Sequence, residues 1–231
     1  MSESDHQPRA IRSFVTRSGR ITAAQERALQ ELWPQYGVEP GTAALALDLD
    51  GLFGRRARRI VEIGFGNGDN LLALAQSRPA EDFLGIEVHR PGVGRLLLQL
   101  RERGLGNVRV VCRDAVEVLE RHLDGECLDE ILILFPDPWP KKRHHKRRLI
   151  QPSFVALLTK RLRAGGALRL ATDWEPYAAE MLMTLTAEPR LRNVAADAGF
   201  GPRPAERSPT RFERRGERLG HQVWDLEFRR R

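Results

Sequence analysis

The chain has 231 residues, of which 41% are hydrophobic and 30% charged, with a formal net charge of +7. This length predicts one large domain with an extension, because domains average roughly 150 residues. Two cysteines, Cys112 and Cys127, exclude a disulfide framework and are typical of a reducing compartment. No apolar run approaches the roughly 20 residues of a membrane span, and the N-terminal residues lack the apolar stretch of a secretory signal. We therefore expect a cytoplasmic protein with no membrane partner.

The first part of the chain predicts an extension in front of the main domain. Residues 1–20 are polar and contain several arginines, which predicts a flexible basic N-terminal arm. Thr22 and Gln25 have the spacing of a capping box, which predicts a helix to about Trp33, where Pro34 should end it. We expect residues 21–58 to form a helical extension and residues 59–231 to form the main domain.

Five apolar runs alternate with helical patterns from residue 59 onward, at 60–63, 83–88, 108–111, 131–135 and 167–171. Near-continuous apolar runs are typical of strands that are buried on both faces. The alternation predicts an α/β fold, with a mostly parallel sheet and helices on both faces. Gly165 and Gly166 are expected to end the helix that begins near Pro152. Residues 222–228 alternate with a period of two, which predicts an antiparallel C-terminal strand.

The first strand leads into the glycine-rich turn Glu62-Ile63-Gly64-Phe65-Gly66-Asn67-Gly68. Gly64, Gly66 and Gly68 permit positive φ angles and let a ligand approach bare backbone, although such a turn can also serve helix–strand packing alone. Asp69 stands where a dinucleotide fingerprint needs its third glycine, which argues against an NAD oxidoreductase. The spacing resembles motif I of S-adenosylmethionine-dependent methyltransferases, in which an acidic residue, here Glu62, faces the cationic methionine part of the cofactor.

Two further carboxylates stand at the ends of predicted strands. Glu87 ends the second strand, where a carboxylate can accept hydrogen bonds from both ribose hydroxyls. Asp114 ends the third strand, where it suits an adenine amino group, although it equally fits the N-cap of the next helix. Three carboxylates in register with a glycine turn favour a cofactor site over three separate caps.

The loop after the fourth strand is the most distinctive segment of the chain. It reads Pro136-Asp137-Pro138-Trp139-Pro140 and continues into the basic run 141–148, which contains six basic residues and no acidic one. One concentrated run in an otherwise nearly neutral chain indicates contact with a polyanion, with a solvated loop as the alternative. The prolines stiffen the loop and should hold Asp137 at the strand tip, although an aspartate before proline is also common in ordinary turns.

The stretch FPDPWPKKRHHKRR resembles the signature of the bacterial tRNA (guanine-N7)-methyltransferase family, the single-chain TrmB type. Residues 12–20, 85–94 and 208–221 agree with the same family, so that the resemblance extends from about residue 11 to the end. It implies a Rossmann-like class I methyltransferase domain, S-adenosyl-L-methionine as cofactor and tRNA as partner. It further implies methylation of N7 of the guanine at position 46 in the variable loop.

The resemblance also implies roles for individual residues. The family's cofactor contacts are matched by Glu62, Glu87, Asp114 and Asp137, of which Asp137 also matches the catalytic aspartate. Substrate positions are matched by Lys141, Asp173, Thr210, Arg211, Phe212 and Glu213. The RNA-contacting segment is matched by Arg143, His144, His145, Lys146, Arg147 and Arg148.

The chemistry of the implied reaction limits what these residues need to do. Guanine N7 carries an in-plane lone pair and no proton, so it can attack a sulfonium methyl group without a strong base. The site has to align the reactants and stabilise positive charge on the purine, for which Asp137 is suited. The reaction requires no metal, and the six histidines lack the spacing of metal ligands.

Several assignments keep an alternative. Trp139 and Phe212 are candidates for stacking on an exposed base, or for anchoring a loop or the core. Asp173 and Glu213 are candidates for accepting hydrogen bonds from N1–H and the amino group of guanine. Alternatively, Asp173 caps a helix and Glu213 pairs with an arginine. The rival functions are a non-enzymatic RNA-binding protein on the same fold and a small-molecule methyltransferase, and no obligatory protein partner is expected.

Overall fold

The computed structural model describes residues 19–41, 43, 45–205, 207, 213 and 222–231. Within these residues, seven strands form one sheet: β1 Arg59–Ile63, β2 Asp82–Ile86, β3 Val108–Val111, β4 Leu128–Leu134, β5 Leu162–Thr172, β6 Leu191–Asn193 and β7 Trp224–Arg230. Their order in the sheet is β3-β2-β1-β4-β5-β7-β6. The strands β1 to β5 pair in parallel, and β7 runs antiparallel to β5 and β6. The predicted α/β fold and its antiparallel C-terminal strand are confirmed.

Helices cover both faces of this sheet. Successive strand residues point to opposite sides, so the continuous apolar runs make both faces of the sheet apolar. The helices are α1 Ala23–Glu31, α2 Trp33–Tyr36, α3 Leu49–Phe53, α4 Asp69–Ser77, α5 Arg90–Arg103, α6 Ala115–Arg121, α7 Pro152–Arg161 and α8 Glu175–Thr186. On one face, Ile60 and Leu132 pack with residues of α1, α2, α4 and α5. On the other, Val61 and Ile63 pack with residues of α3, α6, α7 and α8. No helix in the described part of the chain is both long enough and apolar enough to span a membrane.

The N-terminal helices pack directly on the α5 face of the sheet. The Thr22 side chain accepts a hydrogen bond from the Gln25 amide, and the Gln25 side chain accepts one from the Thr22 amide, so the predicted capping box is present. Pro34 was expected to follow the last helical turn, but it lies in the first turn of α2. A proline is tolerated there because the first N–H groups of a helix have no partner within the helix. The division of the chain at residue 58 stays a prediction, and residues 1–18 of the predicted arm lie outside the described residues.

The C-terminal half departs from the prediction at several points: β6 was not predicted, β7 covers Trp224–Arg230 instead of 222–228, and the two glycines 165 and 166 have a different role. Gly165 and Gly166 do not end helix α7, which stops at Arg161; they lie inside β5. The pairing of β5 with β4 shifts register here, from Leu162 opposite Leu128 to Ala167 opposite Glu130. The extra residues form a bulge that requires the positive φ of 77° at Gly165. These two glycines, which the sequence pattern suggested as a helix end, therefore lie at a β-bulge.

Candidate active site

The carboxyl ends of the parallel strands surround a cavity of about 640 Å³. The glycine turn after β1, Glu87 after β2, Asp114 after β3 and Asp137 after β4 all contribute to its walls. Ligands of open α/β sheets bind at this edge, near the point where the strand order reverses. The volume falls within the range of small-molecule sites, which is roughly 300–1,000 Å³. Predicted site residues from four separate segments are thus brought to one cavity.

The three glycines of the turn divide into two kinds. Gly64, Gly66 and Gly68 all have positive φ, at 72°, 58° and 81°. A Cβ atom added at Gly64 or Gly66 would meet nothing within 4 Å, whereas one at Gly68 would lie 2.6 Å from Leu96 Cδ1. The first two glycines therefore present open backbone at the cavity, and the third permits the close packing of α4 against α5.

Glu87 connects the glycine turn to the start of α5. Its Oε2 accepts a hydrogen bond from the Gly66 amide at 2.8 Å, and its Oε1 accepts from the amides of Val88 at 2.7 Å and His89 at 2.9 Å. The residue is 9% exposed. A carboxylate has about four acceptor positions, so these three bonds fix its orientation without filling it. The side chain is held in place before any ligand arrives.

Asp114 both lines the cavity and caps a helix. Its Oδ1 accepts a hydrogen bond from the Val116 amide at 2.8 Å as the N-cap of α6. Strand β3 ends earlier than predicted, at Val111, so Asp114 lies three residues beyond the strand. The two interpretations of this residue are compatible, because a cap occupies only one of the acceptor positions of the carboxylate.

Glu62 lies beside the cavity rather than in its wall. It is 2% exposed in β1, and its Oε2 accepts a hydrogen bond from Asn70 Nδ2 at 2.9 Å. Burial, against the lowering effect of the Asn70 bond and with a smaller contribution from the carboxylates of Glu87 and Asp69, raises the pKa of Glu62 to about 8. A buried carboxyl group with this pKa favours the arrival of a cation, which would restore its charged form.

Asn70 was not predicted as a site residue. It lies in the first turn of α4 and is buried, and its Oδ1 has no hydrogen-bond partner in the described part of the chain. It also lines a second cavity, of about 360 Å³, over β4, β5 and β7. The available signal was its place directly after the glycine turn, where a polar side chain points back to the strand end.

The loop that carries Asp137 has an unusual backbone. Phe135 and Trp139, which flank Pro136-Asp137-Pro138, have positive φ angles of 52° and 42°. For bulky residues this conformation costs on the order of 1–3 kcal/mol each and persists only where the surroundings impose it, typically at functional sites. The Phe135 amide donates to the Ala171 carbonyl at 2.8 Å, which attaches the loop to β5. Asp137 is exposed at the cavity mouth.

The basic run forms a 3₁₀ helix over Lys142–Arg147. The Arg147 guanidinium lies 4.9 Å from the Trp139 ring centroid, and His144 meets the same ring edge-on at 5.7 Å. Trp139 is thus held within its loop by two members of the run. Desolvation, followed by the charges of Arg147 and its neighbours, lowers the pKa of His144, so this histidine adds less charge near neutral pH than expected. The exposed members of the run are Lys141, Lys142, Arg143 and Lys146.

Arg148, which the family resemblance predicts to contact RNA, is buried in this structure. It is 2% exposed, its Nε donates to the Pro138 carbonyl at 2.9 Å, and its Nη1 pairs with Glu180. The sequence pattern could not separate it from the five exposed or half-buried basic residues before it. A guanidinium buried in this way does not present its donors at the surface, whereas the RNA contacts predicted for residues 143–147 stay a prediction.

The predicted substrate residues lie in different surroundings. Asp173 follows β5 and is half-buried, but it does not cap α8; the Trp174 amide donates instead to Thr172 Oγ1 at 3.3 Å. Glu213 is 1% exposed and accepts two hydrogen bonds from Arg207, at 2.6 and 2.8 Å, which is the arginine pairing given as its alternative. Thr210, Arg211 and Phe212 lie outside the described residues.

Comparisons with known proteins place these features in context. A family model described as "Putative methyltransferase" matches residues 56–226. A tRNA (guanine-N(7)-)-methyltransferase of Leifsonia xyli is 60% identical over 218 residues, covering 94% of this chain and 95% of the relative. One from Methylococcus capsulatus is 57% identical over 223 residues, covering 96% and 95%.

Solved structures agree on the fold at much lower sequence identity. The 16S rRNA methyltransferase KamB superposes with a TM-score of 0.59 at 15% identity, covering 80% of this chain and 94% of that one. TrmN from Thermus thermophilus gives a TM-score of 0.54 at 15% identity, covering 90% of this chain and 48% of that one. The fold is the Rossmann-like class I methyltransferase fold.

Proposed function

The chain belongs to the bacterial tRNA (guanine-N7)-methyltransferase family, and we propose that it transfers a methyl group from S-adenosylmethionine to N7 of guanine 46 in the variable loop of tRNA. The observation that carries this proposal is the convergence of the glycine turn, Glu87, Asp114 and Asp137 on one cavity, with the basic 3₁₀ helix at its mouth. The near full-length identity to relatives of that name supports the choice of substrate.

The cofactor fits the residues present. Gly64 and Gly66 leave room for a ligand against the backbone, where any other residue would place a Cβ in the same space. Glu87 is oriented to accept ribose hydroxyls, and Asp114 lies where it can accept from an adenine amino group. Glu62 and the unpartnered Asn70 Oδ1 offer acceptors to an ammonium group at the methionine end. When bound, S-adenosylmethionine supplies an electrophilic methyl group carried on a sulfonium.

Asp137 is proposed to stabilise positive charge rather than to remove a proton. Guanine N7 has no proton to lose, and the purine ring becomes cationic as its lone pair is used. A carboxylate fixed in position before reaction stabilises such developing charge without reorganising. The prolines on either side and the positive φ angles of Phe135 and Trp139 support this fixed position.

The substrate is proposed to approach over the basic segment. Lys141, Lys142, Arg143 and Lys146 are exposed in the segment between Pro140 and Leu149, which both line the cavity, and can contact phosphates. A guanine engaged in tertiary structure must be exposed before it can enter the site. Asp173 is the stronger candidate for accepting from the amino edge of guanine, because it is half-buried directly after β5, whereas Glu213 is 1% exposed and bound to Arg207. We further propose a cytoplasmic protein that needs no protein partner.

The test uses an unmodified tRNA transcript and S-adenosylmethionine labelled in its methyl group. Nucleoside analysis should recover the label as 7-methylguanosine, and a transcript with adenine at position 46 should remain unlabelled. Asp137→Asn is the matched control, since it keeps the shape of the side chain and removes its charge. Tight tRNA binding without any methylation would instead assign the chain to the non-enzymatic RNA-binding class.

A further inference from the structure

The loop that carries Asp137 has few means of holding its own backbone. Pro136, Pro138 and Pro140 have no N–H group to donate, and two other loop residues, Phe135 and Trp139, have positive φ. A strained loop with so few donors has to be held by hydrogen bonds to residues outside the loop. The Phe135 amide provides one at the start, to the Ala171 carbonyl.

Arg148 provides a hydrogen bond at the centre of the loop. Its Nε donates to the carbonyl of Pro138, the residue that follows Asp137, at 2.9 Å. The same guanidinium pairs through Nη1 with Glu180 of α8 and lies 4.7 Å from the ring centroid of Tyr177, also on α8. Tyr177 is fully buried, and its hydroxyl accepts from the Ile150 amide at 3.1 Å. The loop is thereby joined to a helix of the buried core.

Arg148 also ends the basic 3₁₀ helix, since its own amide donates to the His145 carbonyl at 2.9 Å. One residue therefore connects the RNA-contacting segment, the loop of Asp137 and α8. We propose that Arg148 is a positioning residue: it holds the Asp137 carboxylate at the site of methyl transfer and does not contact RNA. The inference rests on the proposed function, and the wild-type rate measured in parallel distinguishes the failure of that function from the failure of this inference.

The test replaces Arg148 with lysine, which keeps the charge beside Glu180. A single ammonium group cannot reproduce the two separated donors of the guanidinium, so the Pro138 contact is weakened. We expect the single-turnover rate at saturating tRNA and S-adenosylmethionine to fall about ten- to hundredfold, the scale of a small misplacement of a reacting group. The affinity for tRNA and its salt dependence should stay unchanged.

A matched control is available at the opposite edge of the sheet. Arg55 pairs with the buried Asp82 at the start of β2 and donates to the carbonyls of Pro79 and Glu81, the same combination of carboxylate and backbone contacts. Arg55→Lys should affect stability without changing the single-turnover rate. An equal loss of rate in both variants would mean that Arg148 acts only through stability and would overturn the proposal.

Two further outcomes decide the role of Arg148. If Arg148→Lys weakens tRNA binding and flattens its salt dependence while the saturated rate is kept, the residue contacts RNA and the proposal is wrong. If Arg148→Lys does not fold, Glu180→Gln is used instead, because it removes the charge that anchors the guanidinium. We then expect a fall of about three- to tenfold in the same rate with tRNA affinity unchanged, and an unchanged rate overturns the proposal.

Discussion

The buried carboxyl group of Glu62 should make the stability of the ligand-free protein depend on pH. Its pKa in the folded protein is raised from the ordinary value of 4.5 to about 8 because the group is buried. In the unfolded chain Glu62 ionises at its ordinary pKa, whereas in the folded protein it keeps its proton until the pH approaches 8. Its stabilising contribution is therefore complete below pH 4.5 and is lost as the pH rises through 8.

The size of the effect follows from the number of protons bound. Between pH 5.5 and 7.5 the folded state binds one proton more than the unfolded state at this residue, so the free energy of unfolding should fall by about 1.4 kcal/mol per pH unit. For a domain of this size that corresponds to about 3–6 °C in the thermal midpoint per pH unit. The dependence should weaken as the pH passes 8 and disappear well above it, where both states are ionised.

The assay compares wild type with Glu62→Gln in urea unfolding at four pH values from 5.5 to 8.5. Glutamine keeps an acceptor for Asn70 Nδ2 but does not titrate, so the difference between the two proteins isolates Glu62 from all other groups. A difference that does not change with pH would refute the reasoning, since Glu62 would then ionise normally. With S-adenosylmethionine added, the affinity of wild type relative to Glu62→Gln should rise between pH 6.5 and 8.

Four further changes test the remaining parts of the site. Glu87→Ala removes the acceptor of three backbone amides and of the ribose, so the affinity for S-adenosylmethionine in calorimetry should fall by about 1.5–3 kcal/mol while tRNA affinity is kept; an unaltered cofactor affinity contradicts this placement. Asp137→Asn should lower the single-turnover rate about hundredfold or more without weakening tRNA binding, and a wild-type rate would leave Asp137 a turn residue. Replacing Arg143 and Lys146 together with glutamine should reduce the slope of log affinity against log salt by about 1.5–2, whereas an unchanged slope means that the helix is only solvated. A tRNA with inosine at position 46 lacks the amino group that Asp173 is proposed to accept from, so its methylation should be slower than that of guanine by about tenfold or more; equal rates would assign specificity to tRNA shape.

The fold and the composition of the main cavity were predictable because local pattern determines both. Apolar runs separated by helical periods specify buried parallel strands, and the carboxyl ends of parallel strands meet at one edge of a sheet. Glu87, Asp114 and Asp137 each lie within three residues of the end of such a strand, so their convergence needs no information about side-chain packing. The same holds for Gly64 and Gly66, whose positions in the turn decide that they face the cavity.

The contacts between side chains of distant segments were not predictable. Arg148 looks like one more base in a basic run, and its burial depends on Glu180 and Tyr177, which lie about thirty residues later. For Glu213 the sequence offered an arginine partner as one of two alternatives, but it could not identify Arg207 or the further bond from Arg207 to Asp225 of β7 at 3.1 Å. Gly165 resembles a helix terminator because a terminator and a bulge both need a positive φ.

These buried contacts explain how the loop that carries Asp137 can keep a strained backbone. A strained backbone relaxes unless its neighbours hold it, and its strain is then supported by stability elsewhere in the fold. Here the support comes from Ala171 of β5 at one end of the loop and from Arg148, tied to α8, at its centre. Residues of both β5 and α8 belong to the hydrophobic core. The loop that carries Asp137 is thus attached to the folded core, separately from the exposed basic residues that are proposed to contact RNA.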